Sequence, residues 1–87
     1  MRTDTMPRFV MDGMRSVTAP SASDAARIFA GRMARKEYGR RGYVRSMRLN
    51  SWAENGQSHT FEAFIGRDVG NACSGRNEWV YVSRVGD

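Results

Sequence analysis

The residue types that support acid–base or nucleophilic chemistry are scarce in this chain. His59 is the single histidine and Cys73 is the single cysteine. A nucleophile needs a base and a group that orients the base, and the sequence supplies no such set. His59 alternates with the apolar residues Phe61 and Ile65, which is typical of a packed strand residue. The sequence therefore predicts no catalytic residue and no enzyme activity.

Metal and cofactor sites are not predicted either. Paired histidines, a Cys-x-x-Cys spacing and a carboxylate cluster are all missing from the sequence. The glycines of residues 66–75 do not match a phosphate-binding loop, which requires Gly-Lys-Ser/Thr at the start of a helix. One cysteine cannot form an internal disulfide. We expect no cofactor, no metal ion and no small-molecule substrate.

Positive charge is concentrated in residues 27–48. The chain has a formal net charge of +5, and this segment has eight basic side chains and one acidic one, so it carries +7 and leaves −2 for the rest. Arginine suits bidentate contacts with phosphate or carboxylate groups. The predicted partner-binding residues are Arg27, Arg32, Arg35, Lys36, Arg40, Arg41, Arg45 and Arg48.

Three kinds of partner suit this basic segment: duplex nucleic acid, a ribonucleoprotein or an acidic protein surface. Phosphate contacts give salt-dependent affinity without reading sequence. A run of charge is also typical of a solvated helix face and an exposed loop, and the arginine content is compatible with genome composition alone. Binding of single strands would need stacking aromatic residues. The candidates for stacking are Tyr43, Phe64, Trp79 and Tyr81, although aromatic residues on strands are more typical of a core.

One helix is predicted between Pro20 and Gly39. Ser21 and Asp24 have the spacing of a capping box, and Gly39 is a stop signal. The alanine-rich face of this helix indicates close packing, most simply on a sheet. Arg27, Arg32 and Arg35 are expected on its outer face, whereas Arg45 and Arg48 are expected on opposite faces of the next strand.

Four strands are predicted around this helix. Residues 8–18 alternate as one strand with a bend at Gly13, and residues 42–50, 58–66 and 77–85 form the others. Asn55-Gly56 predicts a hairpin turn, and residues 67–76 are expected to form a loop. The fold class is α+β, a single β-α-β-β-β two-layer sandwich with one amphipathic helix on a mainly antiparallel sheet.

The 87 residues are expected to form one small domain over positions 1–87, with residues 1–7 loose. No apolar run approaches the roughly 20 residues that cross a bilayer, and the N-terminus has no secretory signal pattern. We therefore expect a cytoplasmic protein without a membrane partner. Monomer and dimer both stay open, as does a structural protein that oligomerises through Trp79 and Phe64.

The segments "VTAPSASDAARIFAGRM", "GYVRSMRL", "HTFEAFIG" and "EWVYVSRV", in this order around an Asn-Gly turn, resemble small phage-encoded anti-CRISPR proteins that act on type I systems. The resemblance implies an α+β fold and binding without catalysis in a bacterial host cell. The partner would be a subunit of the RNA-guided surveillance complex or its nuclease, with or without contact to guide RNA or DNA. The basic charge departs from the acidic, DNA-mimicking pattern that is common in that group. A free-standing nucleic-acid-binding module is the alternative function.

Overall fold

A computed structural model describes residues 6–52 and 57–85 of the chain, except for the side chains at positions 51 and 52. The predicted Asn55-Gly56 turn lies outside the described residues, as do positions 1–5. The elements are β1 (Arg8–Val10), β2 (Val17–Thr18), α1 (Ala22–Tyr38), a 3₁₀ turn (Gly39–Arg41), β3 (Tyr43–Trp52), β4 (Ser58–Val69) and β5 (Ala72–Arg84).

The strands form one antiparallel sheet in the order β2-β1-β5-β4-β3. The β4–β5 pair extends from Ser58–Ser83 to Val69–Ala72, and β3 pairs with β4 at the edge of the sheet. The β3–β4 register shifts between Val44 and Ser46, so that Arg45 lies at a bulge. In the described part of the chain, the α+β class, the single helix and the antiparallel sheet confirm the sequence prediction, with five strands in place of four.

The helix begins and ends where the sequence predicted. Ser21 Oγ accepts a hydrogen bond from the Asp24 backbone N–H at 3.1 Å, and the Ser21 hydroxyl donates to Asp24 Oδ2 at 3.0 Å. The first of these bonds satisfies a backbone donor that the first turn cannot satisfy within the helix, and the second joins the two side chains. At the other end, Gly39 adopts a φ of 79° and its N–H bonds to the Arg35 carbonyl, a conformation that glycine adopts without the steric cost of a Cβ atom.

Alternation along the strands separates the sheet into a side covered by α1 and an uncovered side. Phe61, Ala63 and Ile65 on β4 are at most 3% exposed, as are Val80 and Val82 on β5. On α1, the small residues Ala25, Ala26, Ala30 and Ala34 lie over them with Phe29, all with 0% exposure. Small side chains let the helix approach the sheet closely: a Cβ atom at Gly42, just before β3, would clash with the Ala34 carbonyl.

Two regions differ from the sequence prediction. The expected single strand over residues 8–18 is wrong, because a turn around Gly13, with a φ of 80°, folds β2 back antiparallel to β1. The expected loop over residues 67–76 is also wrong. These residues are paired strand, and only Gly70 and Asn71 form the turn between Val69 and Ala72. Gly66 and Gly75 face each other in this hairpin, where a Cβ atom on either would collide with the backbone of the other strand.

Candidate binding surfaces

Among the residues that the structure describes, seven of the eight predicted binding residues have no ion pair. No ion pair or side-chain bond to a carboxylate joins any of them within residues 6–52 and 57–85. Six of them are exposed, and Arg32 is half-buried. We call this set the arginine surface: Arg27, Arg32, Arg35, Lys36, Arg40, Arg41 and Arg45.

The densest part of the arginine surface lies at the C-terminal end of α1. Arg35 and Lys36 occupy the last turn, and Arg40 and Arg41 follow in the 3₁₀ turn. Cations in a last turn also interact favourably with the negative end of the helix dipole. The Arg35 guanidinium lies over Gly31, since a Cβ atom on that glycine would be 3.5 Å from Arg35 Nη1. Four cations therefore fall within seven consecutive residues at one end of the helix.

The other members of the arginine surface are more widely spread. Arg32 reaches the β1–β2 connection, where Nη1 donates to the Arg15 carbonyl at 3.1 Å. Arg27 precedes Lys36 by nine residues, or two and a half turns, so the two side chains leave opposite sides of α1. The structure therefore brings together the cations at the end of α1 and does not bring Arg27 to them.

Arg48 lies apart from the arginine surface. It pairs with Glu62 across β3 and β4 on the uncovered side of the sheet. Its Nε and Nη2 atoms donate to Glu62 Oε1 at 3.0 and 2.8 Å, and 76% of its side chain is exposed. A guanidinium with a carboxylate partner must give up that ion pair to bind a phosphate, so it contributes less to phosphate binding than a free guanidinium. Sequence reasoning missed this pairing, because it depends on the register between the two strands.

The four aromatic candidates all lie on the uncovered side of the sheet. Trp79 and Tyr81 alternate with the buried residues Val80 and Val82, and they are 45% and 59% exposed. Phe64 alternates with Ala63 and Ile65 and is half-buried, and Tyr43 precedes Val44, which packs against the core. The expectation that strand aromatics belong to the core is wrong for Trp79 and Tyr81. We call these four residues the ring line.

The ring line crosses the sheet diagonally from β5 through β4 to β3. Successive rows are separated by two residues along the strands, which is about 6.8 Å. Gly66 on β4 and Gly75 on β5 complete the row that contains Tyr43, so no other side chain stands in that row. The rows that hold the rings are Tyr81–Thr60, Trp79–Glu62, Phe64–Asn77 and Tyr43–Gly66.

A polar cluster lies at the Tyr43 end of the ring line. The Tyr43 hydroxyl donates to Asp68 Oδ1 at 2.7 Å, and Cys73 faces Asp68 across the hairpin. Hydrogen bonding with Cys73 and with Asp68 raises the pKa of the Tyr43 phenol, because a phenolate beside these groups would be disfavoured. Tyr43 is therefore a neutral hydrogen-bond donor at neutral pH. Arg45 shares a shallow depression of about 460 Å³ with this cluster.

Arg76 links α1 to the sheet and was missed by sequence reasoning, which placed it in a loop. Its Nη1 lies 3.0 Å from Glu37 Oε2, and its Nε pairs with Glu78. The hydrogen bond from Arg76 and the charge of its guanidinium lower the pKa of Glu37. The same hydrogen bonds with Glu37 and Glu78 raise the pKa of Arg76. This bridge holds the end of α1 that carries the densest part of the arginine surface.

His59 lies on the covered side of β4, as the alternation predicted. Its ring stacks on Phe61 with a centroid distance of 6.2 Å, and it is half-buried. Its Nδ1 atom is buried without a hydrogen-bond partner among the described residues. Among those residues, no group of three His, Cys, Asp or Glu side chains is placed to hold a metal ion. None of the described helices is long and apolar enough to span a membrane.

Comparison of the chain with protein-family models, with curated proteins and with solved structures finds no match. The resemblance to anti-CRISPR proteins therefore stays a prediction. Two surfaces of the molecule bear on its function, the arginine surface and the ring line on the sheet.

Proposed function

We propose that this protein is a non-catalytic binding protein that attaches to the phosphate backbone of nucleic acid through the arginine surface. The observation that carries the proposal is the set of cations at the end of α1 and in the following turn, which have no carboxylate partner among the described residues. A free guanidinium can release counterions from a phosphate backbone without first breaking an ion pair.

The resemblance drawn from the sequence specifies this function further. The protein would inhibit a type I CRISPR surveillance complex, or its nuclease, by docking where guide RNA or target DNA lies and blocking DNA binding or cleavage. The arginine surface supports contact with RNA or DNA backbone better than mimicry of DNA, because its charge is positive. The cytoplasm of a bacterial host is the location that this function requires.

A free-standing nucleic-acid-binding module is the second candidate, and the ring line favours it. Stacking rings beside cations are what a module needs to bind single-stranded nucleic acid without a protein partner. An inhibitor of a protein complex does not need them. The two candidates differ in whether the isolated protein binds nucleic acid or requires the assembled complex.

The test adds the protein to labelled duplex DNA, to RNA of the same length or to a purified type I surveillance complex. The binding affinity is measured for each over a range of salt concentrations. We expect Arg35→Gln, Arg40→Gln and Arg41→Gln together to weaken binding and to reduce the slope of log affinity against log salt by about three, or about one for each lost phosphate contact. These three side chains are exposed and bear no ion pair with a described residue, so the fold should survive their replacement.

The matched control replaces Arg8, Arg67 and Arg84 with glutamine. These residues are equally exposed and unpaired within the described ranges, and the change in net charge is the same. The control should keep most of the salt slope. Equal losses in both triple variants would show that net charge, and not the arginine surface, governs binding. Binding to the complex alone would favour the inhibitor, and salt-dependent binding to free duplex or RNA would favour the module.

A further inference from the structure

We propose that the ring line is a stacking platform for single-stranded nucleic acid, with the bases on the rings and the phosphates toward the β3 edge of the sheet. This inference rests on the proposed function in one respect, that the protein binds nucleic acid. It adds a second surface and a class of ligand, because the arginine surface alone does not distinguish a duplex from a single strand.

The spacing of the rings favours a single strand over a duplex. Successive rows of the uncovered side lie about 6.8 Å apart, whereas bases within a duplex strand are about 3.4 Å apart. Bases stacked on neighbouring rings must therefore belong to an extended strand, and the flat faces of duplex bases are already covered by their neighbours. Trp79 and Tyr81, at 45% and 59% exposure, leave ring surface open to such a base.

Polar groups between the rings suit the edges of unpaired bases. Asn77 lies opposite Phe64, and Thr60 lies opposite Tyr81. An amide and a hydroxyl both donate and accept hydrogen bonds, so they can meet more than one kind of base. A purely apolar face would offer stacking without these contacts.

The charges place the phosphates on one side of the ring line. Arg40 and Arg41 lie in the turn that leads into β3, and Arg45 lies on β3 beside Tyr43. These three cations are exposed and have no ion pair with a described residue. On the opposite side, Arg8 on β1 is also exposed, but the Asp12 carboxylate shares a depression with Tyr81 and opposes phosphates there. The nearer carboxylates, Glu62 and Asp68, already accept hydrogen bonds from Arg48 and Tyr43.

A second copy of the chain fits this face less well. Two copies would meet with a net charge of +5 each. They would also have to bury the Arg48–Glu62 pair, which lies in the same row as Trp79, and removing an ion pair from water costs more than its attraction returns in most geometries. A polyanion brings the opposite charge and leaves the rim of the face in water.

The test uses the full chain and an oligothymidylate of about ten nucleotides, a length within the usual range for one small domain. We expect it to bind more tightly than a duplex of the same length. Trp79→Thr and Tyr81→Thr should each weaken binding of the single strand by roughly 5- to 150-fold, the usual effect of removing one stacked ring. Threonine keeps a high strand propensity, so the sheet should be retained.

Two further variants separate stacking from general damage to the sheet. Trp79→Phe keeps a ring at the same position and should bind nearly as well as the wild type. Leu49→Thr removes a side chain of similar exposure, 46%, from the covered side of the sheet, since Leu49 pairs with the buried Phe61, and it should not change binding.

Unchanged affinity in Trp79→Thr and Tyr81→Thr would overturn the platform, and so would equal losses in Leu49→Thr. A dimer that forms through Trp79 and persists in excess oligothymidylate would also overturn it, because a second copy would then cover the face. Each of these results leaves the proposed function intact if duplex binding still depends on Arg35, Arg40 and Arg41. If duplex binding no longer depended on these arginines, while Trp79→Thr and Tyr81→Thr still weakened single-strand binding, the proposed function alone would be overturned.

Discussion

The outer side of α1 and the uncovered side of the sheet hold their charged groups in different ways. On the sheet, Arg48 is bound to Glu62, and Asp68 accepts the hydroxyl of Tyr43. Around the end of α1, Arg35, Lys36 and the cations of the 3₁₀ turn have no acidic partner among the described residues, and the nearby Glu37 is engaged by Arg76. Arg48 and Asp68 on the sheet therefore have partners within the protein, whereas the cations around the end of α1 are open to an external anion.

This difference separates two contributions to binding. Free cations supply affinity that falls with salt and carries no sequence information. Exposed rings supply stacking, which is short-ranged and depends on access to the flat face of a base. A ligand that extends around the β3 edge would use both, since the cations of the 3₁₀ turn directly precede Tyr43. The two sides are then parts of one binding surface, and mutations on them should differ in salt dependence.

The largest expected effect comes from Phe29, which lies between the two sides and has 0% exposure. Phe29→Ala should reduce the free energy of unfolding by about 3–5 kcal/mol, because it removes a buried ring and leaves a cavity. Both surfaces should lose their order together, since α1 and the sheet share one core. Denaturant unfolding followed by circular dichroism measures the change.

The neighbouring residue provides the control for that prediction. Ile28 is 39% exposed on the outer side of α1, and Ile28→Ala should change the free energy of unfolding by no more than about 0.5 kcal/mol. A similar loss in both variants would mean that Phe29 is not the centre of the core. Retention of single-strand binding by an unfolded Phe29→Ala variant would contradict the dependence of the ring line on the fold.

The local signals in the sequence were sufficient for the helix and for the alternation of the strands. Ser21 with Asp24, and Gly39 at the end, act through bonds within a few residues, so their effect is readable without the tertiary structure. Alternation also showed that Phe61 and Ile65 share a face. It could not show which face α1 covers, because that depends on where the helix lies over the sheet.

The incorrect predictions arose where glycine has more than one role. Three turn-type residues and two glycines within positions 67–76 favoured a loop, but Gly70 and Asn71 alone make the turn. Gly66 and Gly75 serve the close approach of two strands instead. For the binding residues, the charge run identified the cations at the end of α1. The separation of Arg48 from them depends on strand register, which composition does not encode.

A partnered arginine and a free one should differ in what their replacement changes, the stability of the fold or the salt dependence of binding. Arg48→Met should reduce the free energy of unfolding by about 0.2–1 kcal/mol, the usual range for an exposed ion pair, because it leaves Glu62 without its partner. Arg35→Met should leave the free energy of unfolding nearly unchanged but reduce the salt slope of nucleic-acid binding by about one. Thermal unfolding and salt titrations on the two variants measure both quantities.

The opposite pattern would reverse the assignment of the two residues. If Arg48→Met lowered the salt slope and Arg35→Met lowered the stability, then the partnered arginine would be the one that binds phosphate. Glu62→Gln serves as a further control, because it should reproduce the stability loss of Arg48→Met while leaving the free arginine surface unchanged.

The smallest expected effect is a pH dependence at the junction of the two sides. The Arg76 hydrogen bond and charge lower the pKa of Glu37 below its ordinary value of 4.5. Because the folded-state pKa is the lower one, the bridge stabilises the fold above pH 4.5, and this stabilisation is lost as the pH falls through the folded-state pKa.

Glu37→Gln should therefore unfold at a lower temperature than the wild type at neutral pH, and the two melting curves should converge in acid. The effect should be modest, since the side chains of Glu37 and Arg76 are 46% and 47% exposed and water screens their interaction. A difference that stays constant from neutral pH into acid would mean that the carboxylate charge of Glu37 does not stabilise the fold. The end of α1 would then be held over β5 by packing alone, and the free cations there would keep their positions at acidic pH.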